Sequence, residues 1–241
     1  MVTGAHAEES SWWPAIAAAI CLALAIVLSI AAAQREPFPG DVPVVMIVQS
    51  PDAPILDAAA WALSWLGRFP PMAAIGAAVA AFFWRRGETA NAVVVVAATL
   101  LYPLNALLKV LVGRQRPPDG AANILERATG LGFPSGHAFG AMLLFGTIAA
   151  LAASRIGRPW RRAAVVAGCV GVALLIGWSR VRLGAHWPSD VLGGWLWGAG
   201  VGLLLVTLSP GRSRLRGLDP ARSVATPPAS DPERSTSPAT R

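Results

Sequence analysis

The sequence predicts an all-α fold: a six-span transmembrane helical bundle with an interfacial helix and a disordered C-terminal tail. Hydrophobic residues make up 54% of the 241 positions, charged residues make up only 14%, and the mean hydropathy is +0.53. A soluble domain carries about a quarter charged residues. Uncharged runs long enough to cross a hydrocarbon core of about 30 Å recur along the chain. The composition therefore excludes a large soluble domain.

Uncharged apolar runs define the six predicted spans. Two tryptophans precede the first run, which suits a membrane interface, and the short second run needs the flanking Trp84, Arg85 and Arg86 to reach across. The runs are residues 14–33, 69–84, 89–108, 138–154, 163–179 and 191–211. The membrane domain is therefore predicted at residues 13–208.

A cleaved signal peptide is the alternative interpretation of the first run, because Ala31, Ala32 and Ala33 resemble a cleavage site. The segment before the run contains Glu8 and Glu9 and has no Lys or Arg. The basic region of a signal peptide is thus missing, and we expect a span that stays in the protein.

Two segments separate the first two spans. Residues 34–54 are rich in Pro and Asp, which predicts an ordered loop without a helix. Residues 57–68 place Trp61 and Trp65 one helical turn apart between charged ends, a pattern typical of a helix lying in the membrane interface. We expect this helix not to cross the membrane.

Basic residues near the span ends favour a cytoplasmic location for both termini. The two sides carry nearly equal numbers of Arg and Lys, but one side holds four arginines within residues 154–162 and three just after the last span. This side would include an N-terminal segment, residues 1–12, and a tail, residues 209–241, whose Ser, Thr and Pro content predicts disorder. The Ala- and Arg-rich composition indicates a bacterial protein of the inner membrane.

The charge distribution and the small residues indicate which binding partners to expect. The net charge is +7, yet the arginines are spread over loops and the tail, which excludes a nucleic-acid-binding face. Cys21 and Cys169 lie in apolar runs without disulfide or metal spacing. Gly194, Gly198 and Gly202 form a row on the sixth span, which favours close helix packing and leaves a homodimer open. The bilayer is the expected partner.

Polar residues at the span ends gather on one membrane face. Because the spans alternate in direction, the end of the third, the start of the fourth, the end of the fifth and the start of the sixth meet there. These ends carry Lys109, Arg116, Ser135, Gly136, His137, Arg180, His186 and Asp190. Polar residues next to spans are energetically costly, so this concentration predicts a functional site.

The residue types indicate a phosphate ligand. Arg116, Arg180 and Lys109 supply charged donors for a tetrahedral dianion. Ser135 is a predicted N-cap and Gly136 lets the backbone approach closely, so free N–H groups in the first turn of the fourth span can bind phosphate oxygens. An ordinary helix cap is the alternative role for Ser135.

Two histidines and a carboxylate indicate nucleophilic and acid–base chemistry. His186 and Asp190 are four residues apart, which on a helix brings them within reach. A carboxylate that accepts the Nδ1 proton makes Nε2 the nucleophile. His137 then remains as a general acid for the leaving oxygen. A structural role is the alternative for each histidine taken singly.

Three motifs resemble the signature of the type 2 phosphatidic acid phosphatase superfamily. They are Lys109, six residues and Arg116-Pro117; then Pro134-Ser135-Gly136-His137; then Ser179-Arg180, five residues, His186, three residues and Asp190. Every signature position matches, and the similarity extends over about residues 55–208. The hydrophobic content excludes the soluble vanadium haloperoxidases of the superfamily.

The resemblance implies a lipid phosphatase that needs no metal and no cofactor. Phosphate would be bound by Lys109, Arg116, Ser135, Gly136 and Arg180. His186 would attack phosphorus to give a phosphohistidine, with Asp190 orienting it and His137 protonating the leaving group. Six-span members usually place this site on the extracytoplasmic side, which agrees with the expected topology.

Further arginines flank the motifs. Arg114, Arg127 and Arg182 would either widen the anion site or lie at the surface among lipid headgroups, which is the favoured interpretation. Asp57 is expected to pair with one of them.

The lipid and the reaction class have several interpretations. A site at headgroup depth predicts a lipid phosphate substrate, first undecaprenyl (isoprenyl) diphosphate, then phosphatidate or phosphatidylglycerophosphate. A diphosphate would use a flanking arginine for its second phosphate. A lipid phosphotransferase would use the same histidine chemistry. A transporter or scaffold is disfavoured, because its polar residues should lie near the bilayer midplane.

Overall fold

The computed structural model describes residues 12–34 and 37–209. Within these ranges the chain forms helices and no strand, which confirms the all-α prediction. The described helices are α1 (Trp13–Ala32), α2 (Asp41–Gln49), α3 (Pro54–Leu66), α4 (Phe69–Arg85), α5 (Thr89–Leu100), α6 (Leu104–Val112), α7 (Gly136–Arg155), α8 (Pro159–Arg182) and α9 (Pro188–Leu208). The predicted N-terminal segment, residues 1–12, and the predicted tail, residues 209–241, lie outside these ranges except for Trp12 and Ser209.

Four helices are long and apolar enough to cross a membrane alone: α1, α7, α8 and α9. Two bent pairs reach the required length together, α3 with α4 at 61° and α5 with α6 at 40°. The described chain thus has six spans if each pair crosses once. The segment α3 corresponds to the predicted interfacial helix and turns away from the direction of α4. Outward apolar side chains such as Ile16, Val27 and Leu100 are exposed, as expected where lipid covers a protein.

The third predicted span is two helices instead of one. We predict a continuous helix over residues 89–108, but α5 ends at Leu100 and α6 begins at Leu104. Pro103 explains the break, because proline lacks a backbone N–H and its ring collides with the preceding turn of a helix. The segment after the break packs against the start of α7, where Asn105 contacts Gly136.

The prediction that residues 34–54 form a loop without a helix is wrong, because Asp41–Gln49 forms α2. Pro43 lies in the first helical turn, where its missing N–H would have no partner within the helix. The Asp41 carboxylate accepts the backbone N–H of Phe38 at 2.9 Å. The Pro and Asp that predict a loop therefore stand at the start of a helix.

The helices α7 and α9 pack closely at the centre of the bundle. A Cβ atom added to Gly194, Gly198 or Gly202 would lie 2.5 to 2.7 Å from an oxygen of α7 or its N-cap residue. The row of small residues therefore serves packing within the chain, and the homodimer stays a prediction. On the outer side of α9, the Trp197 indole donates to Ser29 Oγ of α1 at 3.0 Å.

Candidate active site

The predicted site residues lie on four segments at one end of the bundle. The segments are the end of α6 with the following loop (Lys109, Arg116), the start of α7 (Ser135, Gly136, His137), the end of α8 (Arg180), and the start of α9 with the link before it (His186, Asp190).

Asp190 lies beside His186 at the start of α9. His186 Nδ1 is 3.4 Å from Asp190 Oδ2, and both side chains are buried. The same oxygen accepts the backbone N–H of Trp187 at 3.0 Å. We expect the pair on one helix face, but α9 begins at Pro188, so His186 precedes the helix and Asp190 lies in its first turn. The contact therefore depends on how the chain enters the helix.

The second ring nitrogen of His186 faces a cation. Arg116 Nη1 lies 2.9 Å from His186 Nε2. Because a guanidinium only donates hydrogen bonds, this contact assigns a lone pair to Nε2 and the proton to Nδ1, on the side of Asp190. Burial lowers the pKa of His186 well below 6.5, and the charges of Arg116 and Lys109 lower it further. The imidazole is therefore neutral, and the lone pair of Nε2 faces Arg116.

Backbone carbonyl groups hold the two cations of the first motif. Arg116 donates to the carbonyl oxygens of Gly130 and Ala185 at 3.0 and 2.7 Å. Lys109 Nζ donates to the carbonyl oxygen of Gly132 at 3.3 Å and to the carbonyl before it. These partners fix the side chains without neutralising them. Both charges remain available to an anion.

The start of α7 is arranged for an anion. Ser135 occupies the N-cap position, as predicted, but its hydroxyl caps no N–H group in the described ranges. Its own backbone N–H donates to the carbonyl oxygen of Asp190 at 2.9 Å. Gly136, the first helical residue, has no side chain to cover the N–H groups of the first turn. This geometry weighs against an ordinary cap and leaves the hydroxyl for a ligand.

Three of the buried polar atoms that have no hydrogen-bond partner within the part of the chain that the structure describes belong to residues predicted to form the site. They are Ser135 Oγ, His137 Nε2 and Arg180 Nε. An unpaired buried polar atom destabilises a fold by about 1–3 kcal/mol, and such atoms are uncommon. All three can carry a proton and donate it. Their concentration at one place indicates a site for an oxygen-rich anion.

Arg180 is held by two residues that sequence analysis missed. Its Nη1 donates to Glu126 Oε2 at 2.6 Å and to Ser64 Oγ, and Ser64 donates to the same carboxylate at 3.0 Å. Burial raises the pKa of Glu126, but the hydrogen bonds from Arg180 and Ser64 outweigh it and bring the pKa below 4.5. The charged carboxylate thus orients Arg180 from one side. No spacing in the sequence marks either residue, since one is in a loop and the other on α3.

Arg114 supports Asp190, and its predicted place at the lipid surface is wrong. Its side chain is 0% exposed, and it donates to Asp190 Oδ1 and to Asp41 Oδ2, each at 2.8 Å. Ser189 donates to Asp41 from its backbone N–H at 2.9 Å and from its hydroxyl at 2.7 Å. Asp41 belongs to α2, the helix that sequence analysis did not predict. Only the folded chain brings α2 to this position.

The other flanking arginines also pair with carboxylates. Arg182 is buried and donates to Asp57 Oδ1 at 2.8 Å, which confirms the expected pairing of Asp57 and contradicts a headgroup role for Arg182. Arg127 is exposed and lies 3.3 Å from Asp119. Of the three flanking arginines, Arg127 alone is placed to meet a headgroup, so a second phosphate would find fewer cations than predicted.

Comparison with protein families agrees with the motifs. The sequence model of the PAP2 superfamily matches residues 87–214, more than half of the chain. This range contains all three motifs. It starts and ends at other positions than the membrane domain predicted at residues 13–208, whose boundaries stay a prediction.

Individual relatives carry related names. A decaprenylphosphoryl-5-phosphoribose phosphatase of Mycobacterium tuberculosis is 35% identical over 188 residues, covering 76% of this chain and 98% of the relative. An undecaprenyl-diphosphatase of Sulfolobus acidocaldarius is 28% identical over 128 residues, 52% of this chain and 58% of the relative. The crystal structure of a PAP2-type phosphatidylglycerolphosphate phosphatase of Bacillus subtilis has a TM-score of 0.66 at 23% identity and covers 82% of this chain and 96% of its own. The structural similarity establishes the shared fold.

Proposed function

Since this chain belongs to the PAP2 superfamily and is an integral-membrane phosphatase, we propose that it hydrolyses a lipid phosphate through a phosphohistidine at His186, without a metal ion. The observation that carries the proposal is the contact of Arg116 with His186 Nε2, because it presents an unprotonated nucleophile beside a phosphate-binding cation. The unpaired donors of Ser135, His137 and Arg180 surround the same region and supply ligands for the phosphoryl oxygens.

In the proposed first step, His186 Nε2 forms a bond to phosphorus while the bond from phosphorus to the leaving oxygen breaks. His137 protonates the leaving oxygen, since its Nε2 has no competing partner among the described residues. The Asp190 carboxylate accepts a hydrogen bond from Nδ1–H and stabilises the positive charge that develops on the ring. A bound phosphate dianion favours the protonated form of His137, which the acid role requires.

In the second step, the oxygen of a water molecule forms a bond to phosphorus while the bond from phosphorus to His186 Nε2 breaks, and His137 accepts a proton from the water. The products are inorganic phosphate and neutral His186. Arg116, Arg180 and Lys109 stabilise the charge on the equatorial oxygens in both steps. A lipid phosphotransferase would differ only in admitting an alcohol in place of water.

We propose a polyprenyl-linked phosphate as the substrate, with undecaprenyl diphosphate as the first candidate from the sequence. The relative that aligns over 76% of this chain is named for a decaprenyl-linked phosphoribose, and another is named for undecaprenyl diphosphate. The buried pairing of Arg114 and Arg182 removes two of the three cations expected to bind a second phosphate. A terminal phosphomonoester on a polyprenyl lipid is therefore an equal candidate.

Phosphate release from a panel of lipids tests the function. The purified full chain in detergent is assayed with undecaprenyl diphosphate, decaprenylphosphoryl-5-phosphoribose, phosphatidate and phosphatidylglycerophosphate. We expect the highest kcat/KM for a polyprenyl substrate. A kcat/KM at least tenfold higher for a glycerolipid would refute the substrate class, and no release from any member would refute the activity.

We further propose that the site faces away from the cytoplasm of a bacterial inner membrane. The arginine-rich connection before α8 lies at the opposite ends of α7 and α8 from the site. After replacement of Cys21 and Cys169, Ala121→Cys near the site should react with a membrane-impermeant thiol reagent in intact cells, and Arg158→Cys should not. The opposite labelling pattern would invert the topology.

A further inference from the structure

The break between α5 and α6 places two polar side chains over the first turns of α7. The Tyr102 hydroxyl donates to the carbonyl oxygen of Gly67 at 3.2 Å, and its ring fills the space beside Gly140, where a Cβ atom would overlap it. One helical turn before Lys109, Asn105 lies with its Nδ2 only 2.8 Å from the position of a Cβ atom on Gly136. In one continuous helix, the side chains of Tyr102 and Asn105 would point in other directions.

The Asn105 amide is buried without the partners that a structural amide has. Asn105 is 7% exposed, and its Oδ1 makes no hydrogen bond to any described residue. Asn91 is a useful comparison, because it is 3% exposed and its Nδ2 donates to Glu88 Oε2 at 2.6 Å. Burying an amide oxygen without a hydrogen bond is unfavourable, so the Asn105 side chain needs a partner that the described residues do not supply.

The location of the amide identifies that partner. It contacts the backbone at Gly136, between Ser135 and His137, whose buried Oγ and Nε2 also lack partners among the residues described. Rotation of the amide by 180° exchanges its oxygen and nitrogen without moving the rest of the side chain, so either an acceptor or a donor can be presented. At the N-terminus of α7 and one helical turn before Lys109, the ligand is an anion, which requires the donor.

We propose that Asn105 is a further phosphate-binding residue, whose side-chain N–H donates to a phosphoryl oxygen beside Ser135 and the first turn of α7. The residue lies outside the three motifs. The proposal rests on the proposed phosphatase function, because that function places the phosphoryl group at this turn. Asn105 contacts phosphate oxygens and takes no part in proton transfer.

Two substitutions test the role of Asn105. Asn105→Leu keeps the side-chain size but cannot form hydrogen bonds, and Asn105→Asp keeps the shape but adds an acceptor and a negative charge. We measure the inhibition constant of orthovanadate, together with KM and kcat, for the full chain in detergent. The inhibition constant and KM should rise about 10- to 100-fold, the range expected for a hydrogen bond to a charged group, and Asn105→Asp should show the larger effect.

Asn91→Leu is the matched control, because it removes a buried asparagine that pairs with Glu88. It should lower the melting temperature and leave the inhibition constant of vanadate unchanged. If Asn105→Leu does not fold, Asn105→Asp decides, since it fits the same space. A wild-type inhibition constant in a folded Asn105 variant would overturn this inference alone. Failure of the wild-type chain to bind vanadate would overturn the proposed function and this inference with it.

Discussion

Replacing Arg114 with methionine removes the only positive charge that contacts two buried carboxylates in the described chain. The side chains of Arg114, Asp41 and Asp190 are 0%, 3% and 0% exposed, and both ion pairs are 2.8 Å long. Methionine fills similar space but donates nothing. Removing one partner of a buried ion pair destabilises a protein by about 3–5 kcal/mol, because the other partner stays buried and unpaired. We expect the free energy of unfolding to fall by this amount.

Turnover should fall as well. Without Arg114, nothing offsets the burial of the negative charge on Asp190, and Asp190 stabilises the positive charge that develops on the His186 ring less well. Groups that orient a functional histidine from behind are worth about 10- to 100-fold. We expect kcat to fall within that range and KM to stay close to the wild-type value, because both terminal nitrogens of Arg114 already donate to Asp190, Asp41 and Ser189.

The assay combines unfolding of the full chain in mixed detergent micelles with kcat measured below the unfolding midpoint. Arg182→Met is the matched control, because Arg182 is also buried and pairs with Asp57 at 2.8 Å, away from the His186 and Asp190 side chains. The control should lose stability and keep its kcat. A loss of stability below about 1 kcal/mol in Arg114→Met, or a kcat equal to that of the control, would refute the reasoning.

Three further predictions concern the chemistry. His186→Ala should abolish turnover, and more than a tenth of wild-type activity in this variant would contradict a covalent mechanism. His137→Ala should lower kcat by about 10²- to 10⁴-fold and still form the phosphoenzyme from a substrate with an activated leaving group. Activity should survive EDTA and be blocked by vanadate, and loss in EDTA with rescue by a divalent ion would contradict the metal-free mechanism. Since burial and then Arg116 hold the pKa of His186 well below 6.5, the acid-side decline of kcat/KM, corrected for substrate ionisation, should lie below that pH. Stability should also fall below pH 6.5, because the unfolded chain protonates His186 more readily than the folded chain, and an acid limb centred at or above 6.5 would contradict the assignment.

The helices follow largely from local sequence. A run of uncharged apolar residues satisfies its backbone hydrogen bonds within itself, so α1, α7, α8 and α9 are evident before any contact is known. The wrong helix predictions occur where the same residue types suit two different local structures. Pro43 and Asp41 suit either a loop or the start of a helix. Pro103 marks a helix break that the mean hydropathy of the apolar run does not reveal.

The sequence by itself determined the set of residues that meet at one membrane face, because alternating spans place these helix ends on the same side of the membrane. It also determined the chemical type of the site, since cations, histidines and a small-residue turn at those ends suit a phosphoryl group. These inferences need only the order of segments and the chemistry of side chains.

Only the tertiary structure decided what each charged residue does. Arg114 and Arg182 look alike in the sequence, yet one supports Asp190 and the other pairs with Asp57. The reason is that the energy of a charge depends on its burial and on partners distant in the chain, such as Asp41, 73 residues from Arg114. For the same reason Asn105 becomes informative only when the fold shows that nothing in the described chain satisfies its oxygen.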